Sequence, residues 1–507
     1  MLDAVTRPAA ILFLLAFGLA ACNGEGAPDP ADNPQAKPKS TVGRPTTTTT
    51  AATTTTPSTL VFSCPRLPIG LGDSNLPGNG NTGYDVTAYD LAFAFDIPGS
   101  PSEPPFLEAS ATLSATATEP LSAFSLDMHG MEVGSVAIDG IPVEWCRRDR
   151  ELIVGPPTVL AAGDGFRVRI DYSGNPTLAE GLFDEFTGVR RSPTGLYAVL
   201  EPDGAASLFP SNDHPRDPAS FRVSVTAPSD LEVISIGRLV AATSEGDRTT
   251  TVWESTEPVA TYLLPLAIGA FDVVELDATV DMDVYLYEGS DGIGDFVQQP
   301  AMLEFFESLF GPYPYDHLGG IVVDSTATVA LETQGIPTYS RDLSYEDVIA
   351  HEIAHQWFGN YVRLDDWSDI WLKEGLASFA ELLWAEHNHG LERYTRQVDG
   401  IYGLLVEDPQ AHPPAAPERE EMYSGSVYWR GAFTMVALRD LVGDEPVFTL
   451  LRAWIDRYGG GTATTADFLD LVEERLGSEA LELAAAWLND ETIPPLEARG
   501  LEPIVGG

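Results

Sequence analysis

The side chains that could do chemistry gather between Ser344 and Glu374. His351-Glu352-Ile-Ala-His355 places two imidazoles four residues apart. On a helix that spacing sets both rings on one face, one turn apart, where they can share a zinc ion. Glu352 is turned aside from such a metal yet stays close enough to act on a water. Eighteen residues separate His355 from Glu374, which lies in Trp371-Leu-Lys-Glu374-Gly375. A carboxylate from a second, antiparallel helix would complete three protein ligands and leave a fourth position for water. The plainer alternative is an exposed helix with two solvated histidines. That alternative leaves Glu374 and the apolar flank of Trp357 and Phe358 unexplained.

Two helices must hold these groups. Ser344-Tyr-Glu-Asp347 reads as a capping box opening the first, and Ser368 as the cap of the second. The second runs apolar through Leu376, Phe379 and Leu383 and breaks near Gly390. Upstream the texture is β. Tyr84-Asp-Val-Thr-Ala-Tyr-Asp-Leu-Ala-Phe, Phe166-Arg-Val-Arg-Ile-Asp-Tyr and Phe221-Arg-Val-Ser-Val-Thr alternate apolar and polar between Gly/Pro/Asp turns, a pattern that reaches about Val274. Beyond Val297 the period becomes 3.6, to about Trp487. The expected architecture is α+β and multidomain: an antiparallel β domain over 61–274, then a mainly helical domain over 275–507, with no internal repeat.

The amino end reads as an export signal over 1–22. Arg7 precedes an apolar run from Ala9 to Ala21, too short to span about 30 Å of hydrocarbon. No other stretch is long and apolar enough to cross a membrane as a helix. Residues 23–60 are rich in Pro, Ala, Asp, Gly and then Thr, and read as a solvated tether. An exported chain whose remaining thiols are Cys64 and Cys146 implies one disulfide, with two buried free thiols as the alternative.

Composition narrows the partners. With 28 basic against 76 acidic residues the formal charge is −48, which argues against nucleic acid and against docking on anionic lipid through basic patches. The three lysines are Lys37, Lys39 and Lys373.

Leu19-Ala20-Ala21-Cys22 resembles the lipobox of bacterial lipoproteins. The resemblance implies cleavage before Cys22, lipidation there, and a site on the outer face of a bacterial membrane, held only through the lipid.

A wider resemblance rests on four separated stretches. These are His351-Glu-Ile-Ala-His-Gln-Trp-Phe-Gly-Asn360, Trp371-Leu-Lys-Glu-Gly375, Tyr428-Trp-Arg-Gly-Ala432, and Glu201-Pro-Asp-Gly-Ala with Phe209-Pro-Ser-Asn-Asp-His-Pro215. Their order and spacing resemble the gluzincin aminopeptidases of the aminopeptidase N and leukotriene hydrolase type. That resemblance implies a saddle-shaped β domain followed by a thermolysin-like catalytic domain. It implies one Zn2+ per chain held by His351, His355 and Glu374, with Glu352 as general base and proton shuttle. Tyr428 would donate to the oxyanion, and Glu332, helped by Glu201, would bind the free amino group of a peptide substrate.

Two departures stand out. The family's Gly-x-Met-Glu-Asn signature is here Val329-Ala-Leu-Glu332-Thr333, which keeps the carboxylate but not its neighbours. Ala484-Ala-Ala-Trp-Leu-Asn-Asp and Pro494-Pro495 resemble the end of the family's catalytic domain, so the helical domain that roofs longer members is not expected. Aminopeptidase action is the first expectation, with a monomer favoured. A zinc endopeptidase or dipeptidase on the same site, or a catalytically silent peptide-binding lipoprotein, are the alternatives. Polar or capping roles are expected of His129, His214, His317, His387, His389 and His412.

Overall fold

The computed structural model describes residues 64–68, 70–176 and 187–502; the export signal, Cys22 and the tether lie outside the described residues. Tyr84–Asp96 is a central strand of an eight-stranded sheet. Tyr84, Val86, Tyr89, Leu91, Phe93 and Phe95 are buried along it, and a register shift between Val86 and Ala88 keeps the apolar side chains on one face. It pairs antiparallel with Phe106–Ala117 and parallel with Ala219–Pro228. That one parallel pair departs from a purely antiparallel sheet. It is possible because the chain between the two strands is long enough to return in the same direction. A four-stranded and a three-stranded sheet add to this domain.

The five-stranded sheet of the second domain starts at Phe271 and runs in the order Phe271–Glu275, Asp281–Tyr287, His317–Val323, Thr338–Ser340, Ala330–Leu331. Ala330–Leu331 is therefore an edge strand. Eight helices complete the domain among the described residues: α1 Gln299–Phe310, α2 Glu346–Ala354, α3 Trp371–His389, α4 Leu391–Glu407, α5 Gly431–Val442, α6 Asp444–Tyr458, α7 Thr465–Leu476 and α8 Ser478–Asn489. The two domains share apolar packing. Tyr197, Val199, Ile234, Trp253 and Ala267 from the first meet Ile321, Val323, Leu331 and Ile336 from the second.

The helix starts differ from the sequence reading. Ser344 donates to Arg341 O at 2.9 Å and finishes the preceding turn; Asp295 supplies the acceptor for Glu346 N at 3.0 Å. No capping box forms; the first turn is instead met by the distant Asp295 carboxylate, which accepts from Glu346 N. Ser368 does not cap α3 either: it lies inside the short turn Trp367–Asp369, and its N–H donates to the Asp366 carboxylate that opens that turn, at 2.9 Å. Cys64 and Cys146 are bonded, S–S 2.07 Å, tying the first described residues to the strand Glu144–Arg148.

A short strap crosses between the domains. Asp73 accepts from Trp367 N at 2.7 Å and meets His214 Nε2 at 3.0 Å, with both side chains fully buried. It fixes the turn that leads into α3.

Carboxylates also cluster inside the β domain. Asn81 Nδ2 donates to Asp127 at 3.3 Å and Glu151 at 3.2 Å, and Asp213 N donates to Asp127 at 2.9 Å. Burial lifts Asp213 to about 8, with the neighbouring Asp127 adding to it. Burial lifts Glu151 to about 7 against the opposing pull of Asn81 and Arg150. Such groups hold their protons more tightly folded than unfolded. Their effect on stability therefore worsens as pH rises from about 4 to about 8 and then levels off. Urea unfolding at pH 8.5 should show Glu151→Gln more stable than wild type by on the order of 2–3 kcal/mol, with the gap closing at pH 4.5. An equal gap at both pH values would contradict this assignment.

Candidate metal centre

α2 buries Val348, Ile349, Ala350, Ile353 and Ala354, so packing on both sides holds it in place. Just beyond it Trp357 and Phe358 meet Phe310 edge-on, with ring centroids 5.9 and 5.0 Å apart. His351 sits in its last turn and His355 directly follows. His355 Nδ1 donates to Phe358 O at 3.0 Å, and His351 Nδ1 faces Glu381 Oε2 at 3.6 Å. The Phe358 carbonyl holds the His355 ring proton on Nδ1, and Glu381 favours the same for His351, so each Nε2 is the atom turned toward a metal. The two Nε2 atoms lie 3.0 Å apart, and Glu374 Oε2 lies 3.3 and 3.4 Å from them. Three buried ligand atoms this close need a proton or a metal cation among them. Two imidazole nitrogens and one carboxylate oxygen, with both rings oriented by other partners, fit zinc.

Glu374 reaches this point because α3 and α5 touch backbone to backbone. A Cβ on Gly375 would come 2.8 Å from Gly431 Cα, so only glycine permits the approach. The contact also brings in Tyr428. It stands in a π-helical turn, Ser426–Arg430, that opens α5 and stacks its ring on His351 at a centroid distance of 5.9 Å. Burial first, then the nearby Glu374, keep the Tyr428 hydroxyl protonated far above its ordinary range, so it remains a donor. Arg430 anchors the turn, donating to Trp487 O at 2.7 Å near the end of α8.

Glu352, Glu332 and His355 offer ligand-type atoms that all lie within 4.8 Å of one another. His355 has one lone pair to give, so this second set marks proximity to the first and not a second ion. Glu352 Oε2 is buried without a protein partner. Burial, opposed by His351 and reinforced by Glu332 and Glu374, raises the Glu352 carboxyl well above the usual range. The Glu332 backbone is fixed by Gln356 Nε2 at 3.2 Å and Asn360 Nδ2 at 2.8 Å, both donating to its carbonyl. Lys373 Nζ lies 2.7 Å from Glu332, 2.7 Å from Glu374 and 2.5 Å from Glu201. Burial opposes its charge, but these three carboxylates hold its pKa well above the ordinary lysine value.

The structure thus gathers His351, His355, Glu374, Glu352, Tyr428, Glu332 and Glu201 in one buried region. Val329 packs against the core shared by the two domains, and Thr333 Oγ1 donates to Ile336 O at 2.7 Å. Neither replacement disturbs the carboxylate between them. Sequence reasoning passed over Lys373, Gln356, Asn360 and Glu381, whose roles appear only once the two helices meet. His317, His389 and His412 bond elsewhere, to Asp316, Glu346 and Ser424.

The matching family models are "Peptidase M1 N-terminal domain" over residues 87–263 and "Peptidase family M1 domain" over 296–487. Aminopeptidase M1-B of Oryza sativa subsp. japonica is 26% identical over 81% of this chain and 50% of its own. Probable aminopeptidase 2 of Sulfurisphaera tokodaii is 27% identical over 73% of this chain and 50% of its own. The chain spans about half the length of these curated relatives. Among solved structures, an M1 zinc metallopeptidase from Deinococcus radiodurans superposes with a TM-score of 0.78, at 33% identity, over 86% of this chain and 100% of that one. A mutant of that enzyme is solved with a Tyr-Ser-Ala substrate.

One zinc per chain should appear by atomic absorption in the purified protein. Zinc at a hundredfold over its Kd should raise unfolding free energy by about 3 kcal/mol over the chelated form. His355→Ala should erase that difference; a variant that keeps it would mean the ion binds elsewhere.

Proposed function

The chain belongs to the M1 peptidase family, and on that premise we propose that it is a zinc aminopeptidase that removes residues from the free amino end of peptides. The observation that carries this reading is one neighbourhood: three ligand atoms converge beside the partner-free carboxylate oxygen of Glu352, with Glu332 within 4.8 Å of Glu352 and His355. Zinc held by His351, His355 and Glu374 supplies Lewis acidity for amide hydrolysis.

The protein's own groups do the rest. Glu352 takes a proton from the attacking water and passes it to the leaving amine. Tyr428 donates its hydroxyl proton to the oxyanion as charge develops there. Glu332 and Glu201 receive the substrate ammonium, so cleavage falls after the first residue. The edge strand Ala330–Leu331 pairs on one side with Thr338–Ser340 and offers its other edge to an extended peptide. Val329 does not fill that edge, because its side chain packs toward the shared core. No serine or cysteine nucleophile is called for.

Export and lipid anchoring rest on the apolar run ending Leu19-Ala-Ala-Cys22, which lies outside the described residues. Cys22→Ser should move the protein from the membrane to the soluble fraction or leave its signal uncut. Wild-type protein found wholly soluble would refute the anchor.

Glu352→Gln keeps the shape of the site and loses the base. It should retain zinc while turnover on alanyl-p-nitroanilide falls by about a hundredfold or more. Tyr428→Phe should lower kcat by about a hundredfold with little change in KM. Glu332→Ala should act mainly on KM, and acetylating the substrate amine should stop cleavage. Wild-type turnover by Glu352→Gln, or equal cutting of acetylated peptides, would overturn the proposal.

A further inference from the structure

Lys373 is the one lysine beyond Lys39 in the sequence; every other cation in that stretch is arginine or histidine. It is also fully buried, in a chain whose formal charge is −48. Lysine almost never occupies such a place without a purpose for its charge.

Its ammonium touches the three carboxylates at the centre of the site. Glu201 Oε1 lies at 2.5 Å, Glu332 Oε1 at 2.7 Å and Glu374 Oε1 at 2.7 Å. The ring of Tyr262 closes another side, its centroid 5.9 Å from Nζ. Glu374 thus splits its carboxylate, with Oε1 on Lys373 and Oε2 toward the histidines. The lysine stem is held as well. At Gly359, whose φ is +112°, a Cβ would lie 3.0 Å from Lys373 Cβ and 3.3 Å from Cδ. The stem therefore has little room to swing away from its three partners.

A peptide's amino end and the lysine head are the same chemical group, a primary ammonium with three donors. Resting on the aminopeptidase reading above, we propose that Lys373 is the specificity-determining residue of the amine subsite: an internal ammonium that shares Glu201 and Glu332 with the substrate's ammonium and so weakens its capture. Two like charges drawn to the same carboxylates repel each other, and each lone pair given to Lys373 is withheld from the substrate. Because the lysine is wedged in place, the substrate must share the carboxylates and does not displace it.

The test measures binding apart from turnover. Alaninamide is titrated calorimetrically into zinc-loaded Glu352→Gln, which binds without turning over, and into zinc-loaded Glu352→Gln/Lys373→Met, with acetyl-alaninamide as the control that lacks the ammonium. Removing one charge-assisted competitor should tighten alaninamide binding at least about tenfold and leave the control unchanged. In the zinc-loaded enzyme, KM for alanyl-p-nitroanilide should fall by a similar factor. If Lys373→Met fails to fold, Glu201→Gln is compared with Glu201→Gln/Lys373→Met, which removes one charge of each sign, and the same tightening is expected. Alaninamide binding that is unchanged or weaker in the lysine-free protein overturns the proposal. Failure of the aminopeptidase reading would look different: wild-type enzyme would not cleave alanyl-p-nitroanilide, whatever the calorimetry reports.

Discussion

Buried acceptors facing one another at close range are the constraint on which this structure turns. His351 Nε2, His355 Nε2 and Glu374 Oε2 lie 3.0 to 3.4 Å apart with almost no access to water. Such an arrangement needs positive charge at its centre, a proton or a metal. A divalent cation can supply it there, and Lys373 supplies it for the outer oxygens of Glu374, Glu332 and Glu201. The surrounding protein keeps these groups from relaxing apart. Removing one ligand of such a set leaves the others buried and unbalanced, which is why ligand substitutions should cost both metal and stability.

The framework around this point is rigid for identifiable reasons. Glycines at 375 and 431 let α3 and α5 meet at backbone distance, and that contact sets Glu374 beside Tyr428. Aromatic edges from Phe306 and Phe310 meet the Trp357 ring, and Phe310 also meets Phe358, behind α2. The strap residue Asp73 fixes the turn ahead of α3 through Trp367 N, and it also meets His214 of the β domain. The residues proposed as metal ligands, oxyanion donor and amine carboxylates thus come from different elements locked to one another. Glu201 makes the β domain part of the site, since it reaches Lys373 from beyond the strand Gly195–Val199.

Much of this was legible in the chain, and the reasons differ residue by residue. The i, i+4 histidines of α2 needed only helical geometry. Glu374 followed from spacing, and Tyr428, Glu332 and Glu201 from resemblance. The β texture was legible because alternation survives in long strands such as Tyr84–Asp96 and Phe106–Ala117. Both expected helix caps were misread: Asp295 comes from far along the chain, and Asp366 sits only two residues before Ser368. Asp295 could not be anticipated from neighbouring residues, because tertiary packing delivers it, whereas Asp366 is a local acceptor that opens the turn before α3. Lys373 escaped for a related reason. Its meaning depends on two acids distant in sequence, which meet it only in the folded chain.

Anomalous diffraction at the zinc edge, on crystals of the purified protein, would show whether a metal sits among these three atoms. A single strong peak is expected at about 2.0–2.2 Å from His351 Nε2, His355 Nε2 and a Glu374 oxygen. A zinc peak elsewhere, or crystals grown with zinc in which the two imidazoles face each other with no metal between them, would contradict it.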